Sequence, residues 1–511
     1  MRALFVASEV VPFAKVGGLA DVTGALPVEL EKLGLEIAVI LPFYHCVRSN
    51  AERLSLTDMS VSVELGGQLR TARIWKSNLP GSNAPVFLIE QDDLYDREGI
   101  YNSSRGAYKD NNARFIFFNK AALELVRVLG VDFDVIHAND WMTGLIPVYL
   151  RTIYANDPHF KGTSSVFTIH NLAHKGLLSP GAVKLTGLAG CPEIQRMMIN
   201  GRVSLLKGAI VYSDVITTVS RRYAKEIQTA EFGEGLEELL RSRSDDLFGI
   251  LNGIDYSVWN PETDRLIPVD YSARDLSGKA ACKAALQRDS GLPVREAVPL
   301  FGIVCRLCEQ KGLDILMKAL EDFLALGVQL ILLGAGGHVY ERFFKKAAER
   351  HPDQMAVTIG FDEALAHRIE AGADIFLMPS KFEPCGLNQM ISLKYGTVPI
   401  VRRTGGLADT IMQCSGESVK DANGFSFDSQ LESDFLACAM QAILRYRNPE
   451  DWKCLVLNGM SQDWSWKKSA VAYVSLYEHA GSCKYTAMGQ VNEHARENSS
   501  LRDGGRQGVE A

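Results

Sequence analysis

The sequence predicts an α/β protein built from two doubly wound halves. Short apolar runs of strand length alternate with stretches of helical spacing, and the alternation starts afresh midway along the chain. Glycine clusters stand between an apolar run and the helix after it, as open parallel sheets require near a ligand. The chain has 511 residues, 47% hydrophobic and 23% charged, which suffices for more than one sizeable core.

In the first half, "RALFVA" (2–7) is a short apolar run ending at a Ser-Glu loop, and it predicts a buried parallel strand. "GLADVTGALPVELEKLG" has helical spacing and stops at Gly34. "EIAVILP" is the next strand, so the strand–helix–strand unit implies a parallel pair joined by a crossover. "APVFLIE", "DVIHAND", "SSVFTIHN" and "DVITTVS" continue the series. A second series opens near Leu247 with "LFGILNGID" and the acidic, Pro-containing "WNPETD". It continues with "VPLFGIVCR", a helix from Gly312, "VQLILLGAG", "MAVTIG", "ADIFLMPS", "TVPIVRR" and "GFSFD". Two Rossmann-like domains are therefore expected, at residues 1–246 and 247–462. An amphipathic segment at 463–480 is expected to be helical. The polar tail at 484–511 has little to bury and is expected to be disordered.

The net charge of −7 gives no field for nucleic acid, so an anionic ligand needs a local basic site. No apolar run reaches the roughly 18 residues of a membrane span. Glu9 interrupts the apolar N-terminal stretch, which argues against a signal peptide. Ten cysteines are scattered, several in apolar context such as Cys305 and Cys438, which suits reduced thiols and a cytoplasmic location. Cys305 and Cys308 form a lone CxxC without a second pair, so neither zinc nor redox chemistry is expected there.

"KVGGLADVT" (15–23) and "RTGGLADTI" (403–411) are near copies. Each sets a cation, bare glycines and a helix start after a strand, a device that can meet an anion. They follow different strands of their halves, so they are not a duplication in register. The expected reading is one device used twice, with Lys15, Gly17 and Gly18 in one copy and Thr404, Gly405 and Gly406 in the other. A tight turn that merely needs glycine is the alternative. "LLGAGGHV" (332–339) imitates a dinucleotide fingerprint, but Val339 holds the third glycine position, which disfavours a nicotinamide dehydrogenase. Arg306 and Lys311 follow the strand that opens the second half, where two cations can clamp a diphosphate and stabilise charge on a departing phosphate. Glu383 follows "ADIFLMP", ahead of Gly386, Leu387 and a helix. A carboxylate there can bind sugar hydroxyls, can balance developing positive charge, or can simply favour the helix N-terminus. His170-Asn171 and Asp140-Trp141 end two strands of the first half. Such a histidine can bond a sugar hydroxyl or can be structural.

"KVGGLADV", "YKDNNARF" (Tyr108 to Phe115), "HANDW", "HNLA", "LNGID", Arg306 to Gly312, "PSKFEPCGLNQ" and "RTGGLADT" occur in this order. With these motifs the chain resembles the bacterial-type glycogen synthases, the family shared with plant starch synthases, over residues 1 to about 480. The resemblance implies a GT-B fold of twin Rossmann-like domains with the active site in an interdomain cleft, the first domain on the acceptor side and the second on the donor side. It implies transfer of glucose from ADP-glucose to the non-reducing end of an α-1,4-glucan, with retention and with neither metal nor cofactor. Lys15 with the Gly17-Gly18 backbone would contact donor phosphate and sugar, and Arg306 and Lys311 would hold the diphosphate. Glu383 would be the essential acceptor-side or sugar-binding carboxylate, with Cys385, Gly386 and Leu387 lining sugar and phosphate. His170 would bind the transferring glucose, Asn252 would lie near the nucleotide, and Tyr101, Asp21 and Asp140 would face sugar or acceptor. The 463–480 helix would cross back to the first domain. Phe361 stands where a stacking Tyr is frequent, Asn388 where Thr is, and His174-Lys175 where Tyr-Gln is. The alternative readings are another retaining GT-B enzyme, a UDP-glucose user or a sucrose-type transferase, and a catalytically silent glucan-binding or regulatory protein.

Overall fold

The computed structural model describes residues 1–48, 54–104, 106–414 and 418–482. The 484–511 tail lies outside them. The chain divides into two compact units. The first comprises Met1–Thr218, Ile227–Ile250 and the segment from Ser469; the second comprises Val219–Glu226 and Leu251–Lys468.

The first unit is a nine-stranded sheet. Its strands are β1 (Arg2–Val6), β2 (Glu36–Pro42), β3 (Ser55–Leu65), β4 (Gln68–Asn78), β5 (Pro85–Glu90), β6 (Val135–Asn139), β7 (Ser164–Ile169), β8 (Val215–Thr218) and β9 (Leu247–Gly249). They lie in the order β9-β8-β7-β6-β1-β2-β5-β4-β3. All neighbours from β9 to β5 pair in parallel, while β5, β4 and β3 pair antiparallel. Chain order runs outward from β1 in one direction and resumes at β6 in the other, so the switch point lies between β1 and β6. Ala3 to Val6 are fully buried, as a central strand covered on both faces should be. Helix α1 (Gly18–Lys32) follows β1, and α2 (Asn111–Leu129) buries Phe115, Phe117 and Phe118.

Two features depart from the sequence reading. Strand β9 was expected to open the second series, yet it pairs in parallel with β8 and completes the first sheet. A three-residue apolar run carries no periodicity that assigns it to one sheet edge. The β3–β4 hairpin was not anticipated, although its signal is present. "SVSVEL" and "QLRTARIW" alternate in polarity around Gly66-Gly67, whose φ values of 65° and 82° suit a two-residue hairpin turn.

The second unit holds six strands, all parallel: β10 (Leu300–Val304), β11 (Gln329–Gly334), β12 (Met355–Ile359), β13 (Ile375–Met378), β14 (Val398–Arg402) and β15 (Phe425–Phe427). The order β12-β11-β10-β13-β14-β15 puts the switch point between β10 and β13. Alternate residues feed two cores: Phe301, Ile303, Leu330, Leu332, Ile375 and Leu377 on one face, and Leu300, Ile331, Leu333, Phe376 and Met378 on the other. The second unit also carries α3 (Arg221–Glu226), α4 (Leu313–Ala325), α5 (Glu363–Gly372), α6 (Asn388–Lys394) and α7 (Gly405–Thr410). A last helix spans 466–482. Its Tyr477 hydroxyl bonds His137 Nδ1 of β6 at 2.8 Å.

Candidate active site

In the first unit the candidate site residues gather at the C-terminal ends of β1, β6 and β7. Glu9, just past β1, is buried. Its Oε2 accepts the N–H groups of Val16 (2.6 Å) and Gly17 (2.9 Å), and its Oε1 accepts the Tyr101 hydroxyl at 2.6 Å. Burial pushes this carboxyl up, against the pull of those donors. Lys15 pairs with Asp21 at 2.7 Å, and both Lys15 and Gly18 are exposed. Tyr101 owes its place to the "YKDNNARF" motif. Asn111 Nδ2 donates to the Tyr101 carbonyl at 2.8 Å, and the fully buried Arg114 donates through Nη1 to the Ile100 carbonyl at 2.7 Å.

Asp140 ends β6 with φ of 57°, a left-handed conformation that a non-glycine residue holds only when its surroundings dictate it. Its Oδ1 accepts the N–H groups of His170 (2.8 Å) and Asn171 (3.4 Å). Burial lifts the carboxyl to about 7, opposing those hydrogen bonds. Burial lowers His170 to about 3, so its imidazole is neutral near pH 7. Its tautomer follows from its neighbours. Asn139 Nδ2 donates to the carbonyls of Val6 (3.3 Å) and His137 (3.2 Å), which turns Asn139 Oδ1 toward His170 Nε2 at 3.0 Å. His170 therefore carries its proton on Nε2, and Nδ1 is left as an acceptor. Asn171 caps its own turn, its Oδ1 accepting Ala173 N–H at 3.1 Å.

In the second unit Lys311 Nζ meets Glu383 Oε2 at 2.6 Å, and Ser380 Oγ donates to the same oxygen at 2.8 Å. Glu383 is buried and Lys311 nearly so. This pair sits at the switch point, Lys311 after β10 and Glu383 after β13. Gly312 makes the approach possible. Its φ is +64°, and a Cβ there would lie 1.9 Å from the Pro379 carbonyl oxygen. Arg306 is exposed, and its side chain makes no hydrogen bond or ion pair among the described residues. Phe361 follows β12 with 88% of its surface exposed, a bare aromatic face at a strand C-terminal end. Asn252 is buried, its Oδ1 without a hydrogen-bond partner among the described residues, and burial pushes the Cys385 thiol up to about 12. Gly386 has φ of 72°, Leu387 precedes α6, and Asn388 Nδ2 donates to the Val304 carbonyl at 3.2 Å.

The two GGLAD copies are locally unlike. Around Gly17 an added Cβ would meet nothing within 4 Å. A Cβ on Gly405 would strike the Glu383 carbonyl oxygen at 2.0 Å, and one on Gly406 the Cys385 carbonyl oxygen at 2.1 Å. Gly406 N–H donates to the Glu383 carbonyl at 3.1 Å, and Gly405 N–H to Glu226 Oε2 at 3.0 Å. The expectation of bare amides at both helix starts is thus corrected. Gly17, Gly405 and Gly406 each spend the N–H internally, because a buried carboxylate or a neighbouring loop reaches them first. Arg403 turns to Asp428 (3.4 Å) and Ser426 instead of toward its glycines. Sequence reasoning missed Glu9 and Glu226. Glu9 was visible as the carboxylate that breaks the apolar run after β1; Glu226 had no local signal.

Among the described residues, no group of three or more His, Cys, Asp or Glu is placed to hold a metal ion, and no helix is long and apolar enough to cross a membrane. Residues 2–242 match the starch synthase catalytic domain family, and residues 288–453 match glycosyl transferases group 1. The chain is 46% identical to the glycogen synthase of Syntrophotalea carbinolica, across 94% of this chain and 99% of that one. It is 47% identical to the glycogen synthase of an Anaeromyxobacter species, across 93% and 99%. The catalytic domain of starch synthase IV from Arabidopsis thaliana, solved bound to ADP and acarbose, superposes with a TM-score of 0.87 at 35% identity, across 94% of this chain and 99% of that one. Two doubly wound units with charged groups at their switch points, and full-length likeness to these enzymes, place the chain in the glycogen synthase family, as a hexosyltransferase with the function of a glycogen or starch synthase.

Proposed function

We propose that the chain transfers glucose from ADP-glucose to the non-reducing end of an α-1,4-glucan, with retention at the anomeric carbon. The bond from that carbon to the β-phosphate oxygen breaks, a bond to the acceptor 4-hydroxyl oxygen forms, and the hydroxyl proton leaves with the departing ADP. Lys311 and Arg306 carry the charge that collects on departing ADP. With these two cations set against the leaving group, the step is proposed to use neither metal nor cofactor. Phe361 offers its exposed ring to the adenine, and Asn252 is assigned to the nucleotide. Glu383 faces the sugar, with Cys385, Gly386, Leu387 and Asn388 shaping its surroundings, while Thr404, Gly405 and Gly406 back that loop. On the acceptor side His170 accepts a sugar hydroxyl through Nδ1. Lys15 and the Gly17-Gly18 loop contact donor phosphate and sugar, and Asp21, Tyr101, Asp140 and Asn171 line the approach. Free thiols at all nine described cysteines suit a cytoplasmic enzyme.

The observation that carries this reading is the Lys311–Glu383 pair at the switch point, with exposed Arg306 on the same strand end. Lys311→Ala and Glu383→Gln should each lower kcat by about 10²-fold or more. Turnover near wild type in both variants would overturn the assignment. Undiminished turnover in EDTA is expected, and a metal requirement would contradict the metal-free step.

A further inference from the structure

Residues Val219–Glu226 belong to the second unit, although their flanking sequences belong to the first. This strap touches the Glu383 loop and the α7 loop through side chains that no motif above contains. Ser220 Oγ, fully buried, donates to the Pro384 carbonyl at 2.6 Å, one residue after Glu383. Glu226 Oε2 accepts Gly405 N–H at 3.0 Å and the Thr404 hydroxyl at 3.3 Å. Its Oε1 accepts Arg222 Nε at 2.9 Å, and Arg222 N–H donates to Asp409 Oδ2 at 2.8 Å. The held glycines press on the loop in turn, because Gly406 N–H bonds the Glu383 carbonyl.

The main-chain oxygens of Glu383 and Pro384 are thereby bonded by the strap or by the loop the strap holds. Among the described residues, the side chains bonded to the Glu383 carboxylate are Lys311 and Ser380. Its height over the switch point is set by this backbone, and small displacements of a reacting group are costly. We propose that Ser220 and Glu226 are positioning residues that hold the Glu383 loop in its productive place. The inference rests on the reading of Glu383 given above.

The test is steady-state kinetics of the full chain with ADP-glucose and glycogen, comparing Glu226→Ala, Glu226→Gln and Ser220→Ala with Glu383→Gln. Glu226→Ala should lower kcat about tenfold or more, with KM for ADP-glucose within about twofold of wild type. Ser220→Ala should lower kcat about fivefold, the scale of one lost hydrogen bond. Glu226→Gln should recover most of the activity, because its amide oxygen still accepts Gly405 N–H. If Glu226→Ala does not fold, Ser220→Ala decides alone. Unchanged kcat in folded strap variants, or a change confined to KM, overturns the positioning role when Glu383→Gln is inactive. Wild-type turnover in Glu383→Gln would overturn the reading of Glu383 itself, and the positioning proposal with it.

Discussion

Asp140 carries three burdens at once: a left-handed backbone, burial, and two N–H groups fixed on one oxygen. Its carboxyl rises from the ordinary 3.8 to about 7, chiefly through burial, with Glu9 adding to the rise. The native state therefore keeps a proton between about pH 4 and 7 that the unfolded chain has released. This group's contribution to stability is present below pH 3.8 and is lost as pH rises through 7. Asp140→Asn removes the charge and keeps the acceptor oxygen. Its Tm should match wild type near pH 3.5 and exceed it increasingly up to pH 8, while activity falls. A Tm difference that does not grow across that window would contradict the buried-acid account. His170 works from the opposite side: burial keeps it neutral, and Asn139 fixes its proton on Nε2, so it reads a hydroxyl as an acceptor and not as a cation.

The element scale separates the two glycine loops that the sequence writes almost identically. Gly17 is in extended backbone at φ of −149° with open space beside it, whereas Gly406 lies against the Cys385 backbone. Gly17→Ala should cost no more than about 1 kcal/mol, the scale of a poorer helix N-cap. Gly406→Ala must displace the Glu383 loop, so it should cost about 3 kcal/mol or prevent folding. Chemical denaturation of the two variants checks this, and equal costs would refute the asymmetry. These loops also show what the sequence could display. Strand and helix placement was legible because long apolar runs alternate with helical spacing, as at "EIAVILP" and "VQLILLGAG". Lys311 and Glu383 were legible because strand-end position and charge are both local properties. The partners Glu9 and Glu226 were not, because a carboxylate's capture of an amide across the fold leaves no spacing in the chain. Leu247–Gly249 was misplaced for the related reason that sheet membership is a tertiary choice.

At the scale of the whole molecule, each unit repeats one architectural rule with different chemistry. The first switch point, between β1 and β6, gathers Glu9, Asp140 and His170, acceptors suited to sugar hydroxyls. The second, between β10 and β13, gathers Lys311, Arg306 and Glu383, charges suited to a diphosphate and the sugar it carries. That division of labour accords with a hexosyltransferase joining a nucleotide sugar to a glucan. The most direct measurement supplies radiolabelled ADP-glucose or UDP-glucose, at equal concentration, to the purified chain with glycogen. The account predicts label entering glycogen from ADP-glucose, with release of ADP, at a rate well above that from UDP-glucose. Faster transfer from UDP-glucose, or no label in glycogen from either donor, would contradict it.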